Sequence, residues 1–255
     1  MNRFVRHASL TLLPILAISA GCARQNKHQL PLTGAPADFS TIGVYNVNVT
    51  NASGTVEILT KHNLEAPFVE VKRSRPRVEG EMAGPGKNPA QYSNAVFSES
   101  NRVGTLTINS TAGDVASAGE WVRIIVYVRA LGDVKIRNSG GHVLVRNAHG
   151  SVDIRNATTR LGTGNITCTS PFVAAAPIML STEEGTIDLF IPSTSAVKVD
   201  ASTGAGVVKV AARNSTVMNV VEKNMSWTGI FNGGTTEVTA RAAKGDVNIR
   251  VGASE

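Results

Sequence analysis

The chain has 255 residues, 24 of them Gly, with 5% aromatic residues and a formal net charge of +6. That length supplies core material for one elongated domain or two compact ones, and a composition rich in Gly, Val, Thr, Ser and Asn suits many short strands joined by tight turns. Lys and Arg are dispersed over alternating strand positions without interleaved aromatics, which argues against nucleic acid as a partner.

The amino terminus reads as an export signal. Arg3 and Arg6 form a positive region, Leu10 to Ala20 an apolar core, and Gly21 precedes Cys22. The apolar core is too short to span a bilayer as a permanent helix. Small residues before a cysteine resemble a bacterial lipoprotein signal, in which Cys22 becomes the lipid-bearing first residue, although Ser19 stands where Leu is more usual. The alternative is an ordinary signal peptide with a cysteine near its cleavage site. Removal of residues 1–21 leaves a net charge of +4. Residues 22–40 carry Pro31 and Pro36, lack periodicity and read as a flexible tether to a body spanning 41–252. The expected location is the cell envelope, with the protein exported and held to a membrane by lipid.

From Ile42 the sequence alternates. A five-residue template of Gly, any residue, apolar, any residue, apolar fits ten times from Gly43, at Gly43, Gly54, Gly104, Gly132, Gly141, Gly150, Gly164, Gly185, Gly206 and Gly245. Residues 64–72 give a further strand and 73–94 a long surface loop with three prolines and three glycines. Trp121 to Ala130 is the most hydrophobic strand and reads as covered on both faces. In the densest stretch, GDVKIRNSGGHVLVRNAHGSVDIRN over 132–156, the glycines recur every nine residues, and Gly164, Gly185 and Gly206 lie 21 apart. Each template repeat makes a strand of roughly 17 Å with its apolar pair on one side. Two strands with their turns make a coil that must bury that pair against the coils above and below. The predicted fold is all-β, a single-stranded β-solenoid with Gly at its corners; a β-sandwich is the alternative. Cys168 occupies the second apolar slot after Gly164 and is expected to fill core.

Residues Ile191 to Val208, with a strand-closing proline and a Thr-Gly-x-Gly turn, and Phe231 to Ile249, with a Gly-Gly pair and a final Gly-Asp-Val-x-Ile, resemble the bacterial putative-adhesin domain family. The resemblance covers roughly residues 41–251. It implies a single-sheeted β-solenoid, exported or membrane-tethered, of unknown function and with no catalytic residues to carry over. The loop at 73–94 and the tryptophans Trp121 and Trp227 are not part of that pattern.

No chemistry stands out. Asp133, Asp153, Asp188 and Asp246 occupy outward slots and Glu183-Glu184 a turn, where they solubilise strands; paired carboxylates across a cleft would be needed for glycoside hydrolysis. Gly140-Gly-His-Val-Leu144 lacks the third Gly and the Asp of a calcium-binding β-roll. His142 and His149 are two histidines where zinc needs three or four convergent ligands. No Gly-x-Ser-x-Gly elbow occurs. The seven Asn-x-Ser/Thr matches reflect Asn in turns beside Thr on strands. The most suggestive surface feature is Arg137-Asn138, Arg146-Asn147 and Arg155-Asn156, nine apart. An 18-residue coil would stack Arg137 on Arg155 and put Arg146 on the other face, with Asp133 and Asp153 as neutralising neighbours and the three asparagines in turn ladders. The arginines are the candidate contacts for an anion or acidic glycan. The sequence therefore points to a non-enzymatic envelope lipoprotein, a binding or scaffold surface without cofactor or metal, whose partners are a membrane through Cys22 and an anionic glycan or envelope protein. The alternatives are an enzyme acting on polysaccharide and a self-assembling structural protein.

Overall fold

The computed structural model describes residues 27–74, 89–111, 121–157 and 164–252. The signal peptide, Cys22, most of the long loop and Gly113-Asp-Val115 lie outside the described residues. Strands β1 to β10 run over Lys27–Leu30, Leu32–Thr33, Val44–Asn51, Gly54–Thr60, Phe68–Ser74, Ser93–Ser100, Val103–Ser110, Trp121–Val128, Leu131–Ser139 and Val143–Arg146. Strands β11 to β20 run over Val152–Ala157, Ile166–Thr169, Ile178–Glu184, Ile187–Ile191, Val197–Thr203, Val208–Ala212, Val217–Lys223, Ser226–Phe231, Thr236–Lys244 and Val247–Val251. A single 3-10 turn over Pro89–Tyr92 is the one helical element among the described residues, so the fold is all-β.

The strands form two sheets. One has nine strands in the order β1-β5-β8-β4-β10-β12-β14-β20-β16, the other eleven in the order β17-β18-β15-β19-β13-β11-β9-β3-β7-β6-β2. From β8 to β16 the chain alternates between them, each strand falling in the sheet opposite its predecessor. Most pairs in the middle of both sheets are parallel and in register. Val143 lies beside Val56 on one side and Ile166 on the other, and Val152 lies between Val134 and Ile178. The template's apolar pair thus becomes two columns per sheet, as in Val145, Cys168, Leu189 and Ile249. The inward columns of both sheets merge into one core cluster. Burying each Val, Ile or Leu in it stabilises the fold by about 1.5–3 kcal/mol relative to exposure.

Three features differ from the sequence expectation. The strands divide between two facing sheets, because inward columns on successive strands can only be dried by a second apolar face; the resemblance implied one sheet. The stacking order is not the chain order: β3 and β4 sit between the β7/β8 and β9/β10 levels, and the last strands, β19 and β20, are wedged between β13/β14 and β15/β16. Finally, two short strands, β1 and β2, lie within the expected tether, whose residues 34–40 are turns and irregular chain. β1 pairs antiparallel with β5, β2 pairs parallel with β6, and Leu30 is buried, so an apolar residue in a Pro-containing stretch was enough to dock it.

Antiparallel pairs flank the parallel middle of both sheets at one end and of the eleven-stranded sheet at the other, where the nine-stranded sheet ends on the parallel strand β16. β6 lies against β7 and β5 against β8 at one end, and β18 against β15 with β17 outermost at the other. Trp227 on β18 is buried, stacks on Phe231 with centroids 5.5 Å apart, and covers the missing side chain of Gly229. The mixed strand directions and open edges are features that a β-sandwich shares.

Candidate functional site

The corners between sheets are held by two repeated devices. The first is a buried polar column at the end of the eleven-stranded sheet's inner face, in which Ser110, Asn51, Asn138, Asn156 and Thr182 occupy register-matched positions. Asn51 Nδ2 donates to Asn138 Oδ1 at 2.9 Å, and Asn138 Nδ2 to Asn156 Oδ1 at 3.0 Å. The same amides reach corner carbonyls, Asn138 that of Gly54 and Asn156 that of Gly141, both at 2.9 Å. Thr182 Oγ1 donates to the carbonyl of Gly164 at 2.7 Å. Asn138 and Asn156 thus form the ladder their spacing suggests, joined by Asn51. Asn147 does not; it adopts φ of 61° and donates to Thr60 Oγ1 at 2.7 Å.

The second device uses the residue after the corner glycine. Asp133 Oδ1 accepts from the Ser151 N–H at 2.7 Å, Asn165 Oδ1 from the Thr186 N–H at 2.8 Å, and Asp246 Oδ1 from the Val207 N–H at 2.9 Å. Asp133 and Asp246 therefore bond backbone across levels and do more than solubilise a face. Asp188 accepts from Asn248 Nδ2 at 3.0 Å, and Asp153 is bonded by Arg137.

The three arginines divide between the two sheets. Arg137 and Arg155 are register partners on neighbouring strands of the eleven-stranded sheet, and Arg146 is on the nine-stranded one. Their surroundings differ. Arg137 is fixed on the Asp153 carboxylate, Arg155 Nε reaches that carboxylate at 4.0 Å, and farther along the same face Arg241 pairs with Asp200 at 3.2 Å. On this face Arg137 and Arg241 are thus each held by a carboxylate.

On the outward face of the nine-stranded sheet, Arg146, Thr169, Phe190 and Arg250 stand side by side on β10, β12, β14 and β20. The adjacent row is Leu144, Thr167, Asp188, Asn248 and Lys209. Together, Thr167, Thr169, Asp188, Phe190, Asn248 and Arg250 line a shallow depression. Arg146 and Arg250 are exposed, Phe190 is half-buried, and neither arginine has an ion pair with any described carboxylate. Phe190 and Arg250 escaped the sequence reading because they flank glycine templates in segments 60 residues apart; only the insertion of β20 beside β14 makes them neighbours.

Farther along this sheet Phe68 stacks on Tyr127 with centroids 4.5 Å apart, and Lys61 Nζ stands 4.2 Å from the Tyr127 centroid. Val122, Ile124, Val126 and Val128 of β8 are buried in the core, and Ile125 is buried on the opposite face, while Arg123 is exposed. The two histidines part company. Burial pushes the His142 imidazole below its ordinary range, and His149 stacks on Phe172. Among the described residues no three His, Cys, Asp or Glu side chains group so as to hold a metal. Cys168 is buried, and desolvation pushes its thiol up to about 12.

No family model matches the chain, and no curated protein matches it. Solved structures do. A putative cell adhesion protein from Clostridium sporogenes superposes with a TM-score of 0.58 at 11% identity, covering 89% of this chain and 100% of that one. A putative adhesin from Bacteroides fragilis gives 0.33 at 9% identity over 90% of this chain and 97% of that one. A putative lipid binding protein from Parabacteroides distasonis gives 0.24 at 11% identity over 91% and 98%. The likeness to the clostridial protein is one of fold.

Proposed function

We propose that this protein is a non-enzymatic, lipid-anchored component of the bacterial cell envelope whose body is a two-sheeted β-solenoid that serves as a binding surface. The observation that carries this reading is the pair of outward faces on which parallel, registered strands present one side chain each at about 4.8 Å intervals, a spacing suited to an extended ligand. The acids that a hydrolase would need are instead spent on structure, Asp133 and Asp246 on backbone N–H groups and Asp153 on Arg137. The fold likeness to a protein described as a putative cell adhesion protein agrees with a binding role. With Cys22 lipidated, β1 at one edge of the nine-stranded sheet stands near the membrane. β16, at the other edge, then lies eight strand intervals away, about 38 Å.

Metabolic labelling with fatty acid and membrane fractionation test the anchor. The wild-type protein should label and resist a salt wash, and the Cys22→Ser protein should do neither. A Cys22→Ser protein that stays on the membrane after the wash overturns it.

A second reading, self-assembly, is favoured by the outermost strand β17, where Met218, Val220 and Val221 are exposed at 44%, 48% and 53%. Concentration-dependent sedimentation, abolished by Val221→Lys, is its expected result, and a monomer at all concentrations removes it.

A further inference from the structure

We infer that the outward row Arg146–Thr169–Phe190–Arg250 of the nine-stranded sheet is a binding site for an acidic oligosaccharide that lies across the strands. This rests on the reading of the outward faces as binding surfaces and names one face and one ligand class. The two arginines are three strand intervals apart, about 14 Å, the span of a short sugar chain. Between them Phe190 offers a ring face of the kind that packs on the C–H face of a pyranose. Its immediate neighbours in the row are Thr169 and Arg250. The guanidinium groups are free to bond carboxylates bidentately, since no described acid holds them, whereas on the opposite sheet Arg137 and Arg241 are occupied by Asp153 and Asp200.

The row beside it supplies hydroxyl recognition. Asp188 and Asn248 are bonded to each other at 3.0 Å and so fixed in orientation, Thr167 adds a hydroxyl, and Lys209 next to Asn248 adds positive charge. With Arg146, Arg250 and Lys209 against Asp188, the patch is net positive, which complements uronate carboxylates. An anionic lipid surface would use the same charges but would have no use for one half-buried aromatic ring set between the Thr169 hydroxyl and the Arg250 guanidinium.

The test uses the full-chain Cys22→Ser protein, which carries no lipid, in detergent-free buffer, titrated calorimetrically with tetragalacturonate, a hyaluronan tetrasaccharide, methyl-esterified tetragalacturonate, inorganic phosphate and phosphatidylglycerol vesicles. The expected result is binding of at least one acidic tetrasaccharide, with the ester and phosphate much weaker. Arg146→Ala and Arg250→Ala should each weaken it about tenfold, as loss of a charge-assisted bond does. Phe190→Ala should weaken it about fivefold. Thermal unfolding confirms that these surface variants remain folded. Equal binding of acid and ester overturns the inference, as does vesicle binding without glycan binding. Affinity lost only in the Arg137→Ala/Arg155→Ala double variant moves the ligand to the other sheet and overturns this site while leaving a binding role intact. Absence of binding to every probe overturns the acidic-glycan site, and fatty-acid labelling at Cys22 reports on the anchor independently.

Discussion

Asn138 donates its side-chain amide to Asn156 Oδ1 at 3.0 Å, from one level of the stack to the next, and both residues are buried with 3% and 1% of their surface exposed. A polar column inside an apolar core is stabilising only while each member is bonded. Asn138→Ala removes a donor shared with the Gly54 and Gly140 carbonyls and leaves them dry. The expected cost is about 2–3 kcal/mol in urea unfolding. The Asn138→Ala/Asn156→Ala double variant should cost less than the sum of the singles, because the two share one bond.

The glycines of the template are not equivalent. Gly245 has φ of 122°, and a Cβ there would lie 2.2 Å from the Gly185 carbonyl oxygen. Gly245→Ala should destabilise by more than about 3 kcal/mol, from backbone strain and a clash with main chain. Gly43 has no neighbour within 4 Å of its missing Cβ. Gly43→Ala should therefore leave the urea midpoint within a few tenths of a molar of wild type, the difference expected of an exposed site.

The Cys168 thiol, pushed up to about 12 by burial, stays protonated in the folded protein at pH 8 and should resist iodoacetamide until denaturant is added. The folded thiol holds its proton more tightly than the unfolded one, from a starting value of 9.0. Its contribution to stability is therefore complete below about pH 9 and declines as pH rises toward 12. Cys168→Ala should lower stability at pH 7 and remove this part of the alkaline decline, read from urea midpoints between pH 7 and 11.

A chain ending at Thr235 lacks β19 and β20. In a stack built in chain order this would remove one terminal level and leave the rest. Here β19 separates β13 from β15 and β20 separates β14 from β16, so the loss strands β15 to β18 and opens both sheets at Ile178 and Ile187. The expected outcome is rapid proteolysis beyond β14 and aggregation, measured by limited trypsin digestion and light scattering, with full-length protein as the control.

The short-range rules were legible in the residues. Alternation has a period of two in any strand, so Val143, Val145, Ile166 and Cys168 could be assigned inward before any partner was known. The nine-residue step likewise placed Arg137 beside Arg155 and Arg146 on the opposite sheet, and put Asn138 and Asn156 in one ladder. Asn147 broke the pattern because its left-handed backbone turned its amide toward Thr60.

What the sequence determined by itself is the strand, its corner and its inward face, since these follow from side-chain periodicity and from the backbone freedom of glycine within five residues. Which strands lie side by side was decided by tertiary structure alone. Every level presents nearly the same apolar pair, so periodicity cannot distinguish one neighbour from another, and the choice falls to chain connection and end-capping. That choice wedges β20 beside β14, and thereby makes Phe190 and Arg250, 60 residues apart, into one surface with Arg146.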